Sequence, residues 1–145
     1  MAVVVLAGSA ERAGGFELLL EGAAFGVNRL SLGVGAEGAA PHLHRVSAEA
    51  FYVLEGVVEF WVDGAGSRVP AGGLVVVEPG VAHAFGAWPG HAAQVLVVIA
   101  PGVRRFAYLR ELGRRMEGAA PDPGVVGADF DVFGVAVESW RGGVA

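Results

Sequence analysis

The residues with the greatest chemical potential are His42, His44, Glu49 and His83. The chain has four histidines, and two of them form the pattern His42-x-His44. On a β-strand, residues two apart project from one face with Cα atoms about 6.6–6.8 Å apart, so two imidazoles can converge on one ion. Glu49 follows five positions after His44, at the mouth of the apolar run beginning at Phe51. His83 follows Pro79-Gly80 at the start of a later run. Three neutral imidazole nitrogens and a carboxylate form a borderline ligand set, suited to Fe, Mn, Ni, Co, Cu or Zn. A His-x-His pair by itself also occurs in strands that bind nothing, so local spacing leaves both readings open.

Side chains this far apart in sequence need a frame to bring them together. The first 100 residues consist of short apolar runs between turn signals. Val3 to Leu6, Phe16 to Leu20, Asn28 to Leu32, Phe51 to Leu54, Val57 to Val62, Leu74 to Val77, Val81 to Phe85 and Ala92 to Ile99 read as strands. Glu55-Gly56 predicts a hairpin or a bulge. Asp63-Gly64, Gly72-Gly73, Pro79-Gly80 and Pro101-Gly102 separate or stop the other runs. Short strands at this spacing predict an all-β fold, an antiparallel sandwich or barrel.

After Pro101 the period changes. Phe106, Leu109, Leu112 and Met116 recur at helical spacing. Arg104, Arg105, Arg110, Arg114 and Arg115 read as the solvated face of this amphipathic helix in preference to an anion or nucleic-acid patch, with Glu111 and Arg115 as an i,i+4 pair. Gly118 to Gly124, with Pro121 and Pro123, reads as a loop. The stretch ending at Trp140, with Phe130 and Phe133, is expected to pack back as a short helix or strand.

Composition narrows the classes of function. A length of 145 residues argues for one domain, and 54% hydrophobic against 17% charged residues excludes an intrinsically disordered chain. The longest apolar runs, Ala2 to Ala7 and Val95 to Ala100, are six residues each; a membrane-spanning helix needs roughly 20. Neither has the flanks of a signal peptide. The 24 glycines follow no three-residue period and suggest tight turns. Without cysteine there is no disulfide framework, no thiolate nucleophile and no Cys-based zinc site, and a cytoplasmic location is expected. Without lysine there is no Schiff-base chemistry and no Walker-type phosphate loop. A formal net charge of -5 disfavours nonspecific binding to nucleic acid or anionic membrane. The expected partner is a small-molecule substrate.

The longer spacing carries more. His42-x-His44, four residues, Glu49, six residues, Gly56 resembles the first motif of the cupin family, G-x5-H-x-H-x(3,4)-E-x6-G. Gly72, five residues, Glu78, Pro79, Gly80, two residues, His83 resembles the second, G-x5-P-x-G-x2-H-x3-N. The 15 residues between Gly56 and Gly72 are similar to the short inter-motif segment of small microbial cupins. Ala36, Glu78 and Ala87 stand where the motifs have glycine, proline and asparagine, all turn positions and none a ligand. Pro101-Gly102-Val103-Arg104-Arg105-Phe106 before a helix is similar to the tail of single-domain, quercetinase-like cupins.

The resemblance implies a jelly-roll-like antiparallel β-barrel over about residues 14–100 and a C-terminal helix and tail over about 103–145, together one domain of residues 1–145. It implies one divalent transition metal ion inside the barrel, held by His42, His44, Glu49 and His83, with one or two positions open. It also implies a homodimer. The implied activity is that of a dioxygenase-like oxidoreductase on a small enol or aromatic substrate, with Glu49 as both ligand and proton acceptor. The same ligands serve a metal-dependent isomerase, a polyketide-type cyclase, or a noncatalytic small-molecule-binding cupin. Phe51 and Val53, in phase with Glu49, and Phe85, in phase with His83, are expected to line the substrate pocket or to pack the core. Trp61 and Trp88 are expected to pack or to line the rim, and Glu78 and His91 to lie in solvated turns.

Overall fold

The computed structural model describes residues 2–141. The expected single domain includes residues 1 and 142–145, which lie outside the described residues. The strands are β1 (Glu11–Ala13), β2 (Phe16–Glu21), β3 (Gly26–Leu32), β4 (Glu37–Leu43), β5 (Ala48–Val62), β6 (Ala65–Pro70), β7 (Leu74–Val77), β8 (His83–Ala87), β9 (Ala93–Ala100) and β10 (Phe133–Gly134). Helix α1 (Phe106–Met116) and a 3-10 turn at Gly127–Phe130 lie between β9 and β10. The strand pairs are antiparallel, in the order β1-β2-β3-β9-β5-β8-β4-β10, with β6 and β7 also on β5.

Strand β5 joins two layers. Its first half pairs with β7 and β9, and its second half with β6 and β8. Phe51 and Val53 face the core in the first half, and Val58 and Phe60 in the second. The inward-facing positions therefore change from odd to even numbers. A register shift between Val53 and Glu55 supplies the extra residue. Gly56 has φ +73°, and a Cβ there would lie 1.9 Å from the Ala92 carbonyl oxygen. Glu55-Gly56 is thus a bulge inside one continuous strand.

The other turns follow their residues. Asp63 and Gly64 both have positive φ and close a two-residue hairpin from β5 to β6, with Val62 opposite Ala65. Strand β6 has no apolar alternation to signal it, and the backbone pairing with β5 creates it. Val3 to Leu6 is not a strand, contrary to the sequence expectation. Those residues are exposed and pair with no strand, and the edge beside β2 is occupied by β1.

The core contains Leu30, Phe51, Val53, Val58, Phe60, Phe85 and Val95, with Leu109 of α1 buried against it. The helix matches the predicted periodicity, although Met116 at its end is half exposed. Its approach to the β1–β2 turn is close enough that a Cβ on Gly113 would meet the Ala13 backbone at 2.5 Å. Among the described residues no helix is long and apolar enough to cross a membrane.

Candidate metal centre

The four residues singled out by type and spacing come together. The potential ligand atoms of His42, His44, Glu49 and His83 all lie within 4.8 Å of one another. His42 is the penultimate residue of β4, and His44 directly follows that strand. His83 opens β8, and is the cross-strand partner of His42. Glu49 is the second residue of β5. The imidazole centroids are 5.0 Å apart for His42 and His44, 4.3 Å for His42 and His83, and 5.3 Å for His44 and His83. His44, Glu49 and His83 are buried and His42 is partly buried.

Backbone carbonyls orient all three rings. His42 Nδ1 donates to Ala40 at 2.7 Å, His44 Nδ1 to Asp131 at 2.8 Å and His83 Nδ1 to Val81 at 2.9 Å. A carbonyl oxygen only accepts, so each Nδ1 carries the proton and each neutral ring keeps its lone pair on Nε2. His44 Nε2 and His83 Nε2 lie 3.2 and 3.0 Å from Glu49 Oε1. Two lone-pair donors facing a carboxylate oxygen require a proton or a cation between them. Burial, with the neighbouring His83, pushes the His42 imidazolium down to about 4, so this ring is neutral at pH 7. The donor set fits a borderline divalent ion, and the carbonyl contacts are the partners that orient such ligands.

Glu49 has a further partner. Arg105 donates from Nη2 to Glu49 Oε2 at 2.6 Å, and both side chains are buried. Burial pushes the Glu49 carboxyl up, but the positive charge of Arg105 is the foremost influence against it, and the group is held well below the usual carboxylate range. This corrects the reading of Arg105 as part of a solvated helix face. Arg104, Arg110 and Arg114 are exposed, whereas Arg105, just before α1, turns inward. A charged residue beside the apolar Phe106 at the start of an amphipathic helix was the available signal.

The tail closes over the same region. Asp131 accepts from the backbone N–H groups of Arg45, Val46 and Ser47 at 2.8, 3.0 and 3.1 Å. Those residues link β4 to β5, and so link the histidine pair to Glu49. Strand β10 pairs with β4, placing Gly134 opposite His42, and the Arg45 guanidinium lies 3.8 Å from the Phe133 ring centroid. Arg141 anchors the tail to Glu59 at 2.9 Å and to the Gly35 carbonyl at 3.0 Å. No local pattern marks Asp131, because its role depends on a contact 87 positions from His44.

The cluster opens on a cavity of about 460 Å³. Phe51 and Phe85 line it, with ring centroids 5.1 Å apart. Val53 does not lie on the cavity wall; it is fully buried in the core. Trp61 and Trp88 are partly buried, and Glu78 and His91 are exposed in turns, as expected. The departures from the motifs also have local accounts. Gly35, beside Ala36, supplies the positive φ of that turn, and Ala87 is fully buried where its carbonyl receives Arg141.

The comparisons with known proteins agree with this architecture. The family model described as "Cupin domain" matches residues 28–100. No curated protein matches the chain. Among solved structures, an RmlC-like cupin from Shewanella frigidimarina is similar with TM-score 0.58 and 24% identity, covering 67% of this chain and 86% of that one. The Cnp3 cupin domain of Schizosaccharomyces pombe gives TM-score 0.59 and 18% identity, covering 68% and 73%. A structure described as a predicted oxalate decarboxylase from Thermotoga maritima gives TM-score 0.55 and 23% identity, covering 59% and 77%. At these identities the likenesses concern the fold. With the match spanning the strands that carry all four clustered residues, the chain belongs to the cupin domain family.

Proposed function

We propose that the protein is a metal-dependent, dioxygenase-like enzyme that acts on a small enol or aromatic substrate beside His42, His44, Glu49 and His83. The observation carrying this reading is the orientation of the rings. Every Nδ1 is held by a carbonyl, which leaves Nε2 as the free ligand atom beside one carboxylate and a cavity of small-molecule size. A bound ion would supply Lewis acidity toward a hydroxyl or enol oxygen, together with redox capacity if it is Fe, Mn, Ni, Co or Cu.

The chain's own residues do the rest. The three histidines and Glu49 would hold the ion, and Arg105 retains Glu49 by its outer oxygen. Glu49 therefore acts first as a fixed ligand; to accept a proton as well, it must move against that ion pair. Phe51 and Phe85 pack against the apolar part of the substrate and exclude water. A second copy would dock on the outer face where Tyr52, Leu74 and Val76 are exposed, since β7 is an edge strand. Sedimentation velocity on Leu74→Glu tests that dimer, which should become a monomer.

Elemental analysis of the purified chain with His42→Ala and His83→Ala tests the centre. About one ion per chain, lost in both variants, is expected; unchanged metal content in both overturns the site. Oxygen uptake with flavonols and other enols, under each loaded metal, tests the reaction. Absence of uptake with every metal overturns the dioxygenase reading, and anaerobic turnover with Zn would place the chain among isomerases or cyclases.

A further inference from the structure

We infer that the substrate carries a carboxylate or similarly compact oxyanion, bound by Arg105 and Asn28 on the cavity wall while its reacting oxygen faces the His–Glu cluster. The inference deepens the metal-centre reading and rests on it for the position of the reacting oxygen.

Three observations carry it. The first is the Arg105 guanidinium, which is buried, lines the cavity and has five N–H donors. Among the described residues its one side-chain hydrogen bond runs from Nη2 to Glu49. Among the described residues no fully buried side-chain polar atom lacks a partner, so the other guanidinium nitrogens are not sealed off in the core, and Arg105 lines the cavity. Its fork is held in place by the Glu49 contact and matches the planar geometry of a carboxylate.

The second is Asn28. It lies on β3 in phase with Leu30 and Leu32, which face the core, and it is 4% exposed. A polar amide on an apolar stripe is costly unless it is bonded. Its side chain forms no hydrogen bond among the described residues, and it lines the same cavity as Arg105. An oxyanion between the two would satisfy both.

The third is charge. Among the described residues Glu49 is the one carboxylate on the cavity wall, beside Arg105, while Arg115 on the wall is paired with Glu111 at 3.1 Å. Arg105 already neutralises Glu49, so a divalent ion would leave the enclosed space strongly positive. In a low-dielectric cavity that charge favours an anionic ligand over a neutral one.

The test uses the full chain titrated with Co(II), whose visible absorption reports ligand entry, and calorimetric titration with two matched pairs. These are benzoylformate with its primary amide, and pyruvate with pyruvamide. The chain is expected to bind at least one acid about 10- to 100-fold more tightly than its amide, the range of one hydrogen bond to a charged group. Asn28→Leu leaves the Arg105–Glu49 pair in place and is expected to weaken acid binding several-fold with Co(II) stoichiometry unchanged. Arg105→Lys keeps a positive charge near Glu49 but loses the fork, and should abolish most of the preference while Co(II) is still bound. Co(II) binding without preference for either acid overturns the inference and leaves the metal reading intact. Preference for an acid without Co(II) uptake overturns the metal reading and keeps the anion site, and absence of both overturns both.

Discussion

Arg105 and Glu49 are 56 positions apart in the chain, yet Arg105 Nη2 donates to Glu49 Oε2 at 2.6 Å while Oε1 faces His44 and His83. One carboxylate thus joins the C-terminal segment to the histidine cluster. Its two oxygens have separate partners, one the two histidines and one the guanidinium.

Breaking this pair should destabilise the metal-free protein strongly. Glu49→Gln and Arg105→Met are each expected to cost about 3–5 kcal/mol, because each leaves a buried group without its partner. The double variant should cost clearly less than the two together. Urea denaturation after chelation measures this, and additive single effects would show that the two groups are not coupled.

Metal should stabilise the fold through the same residues. With free ion at 100 times its Kd, unfolding should cost about 2.7 kcal/mol more. For a chain of this size that is a rise of roughly 5–10 °C in Tm. His83→Ala should show no comparable rise in a melting experiment with and without the ion.

Asp131 should matter twice over. Its carboxylate accepts three backbone N–H groups in the loop between His44 and Glu49, and its φ is +59°. Asp131→Ala should cost about 1–3 kcal/mol from lost acceptors and a disfavoured backbone. Metal affinity should fall by roughly 10–100-fold, because the residue-131 carbonyl that orients His44 is no longer anchored to the Arg45–Ser47 loop by the carboxylate. Asp131→Asn keeps one acceptor and tolerates the left-handed backbone, so it should be milder in both denaturation and metal titration.

Gly56→Ala should disrupt the bulge that turns β5 between the two layers. The residue has φ +73°, and the new Cβ would overlap the Ala92 carbonyl. A loss of at least about 2 kcal/mol is expected by denaturation. Wild-type stability in this variant would mean that the bulge can relax.

Most strands were legible as runs of apolar residues between Gly- and Pro-rich turns, and α1 by its period. The exceptions are instructive. Val3 to Leu6 has the composition of a strand but no partner, while Ala65–Pro70 lacks the composition and has one. Strand formation depends on pairing as well as on propensity, and pairing is nonlocal.

The sequence by itself determined the ligand types and their order, because imidazole and carboxylate chemistry belongs to the residues. His42, His44, Glu49 and His83 were identifiable before any coordinates, as was the family they resemble. Only the tertiary structure decided which ring nitrogen each histidine leaves free, since the carbonyls of Ala40, Val81 and the distant Asp131 do that. It also separated Arg105 from four other arginines of the same segment. A side chain's neighbours, and hence whether its charge is solvated or buried in a pair, are set by which segments the fold brings together.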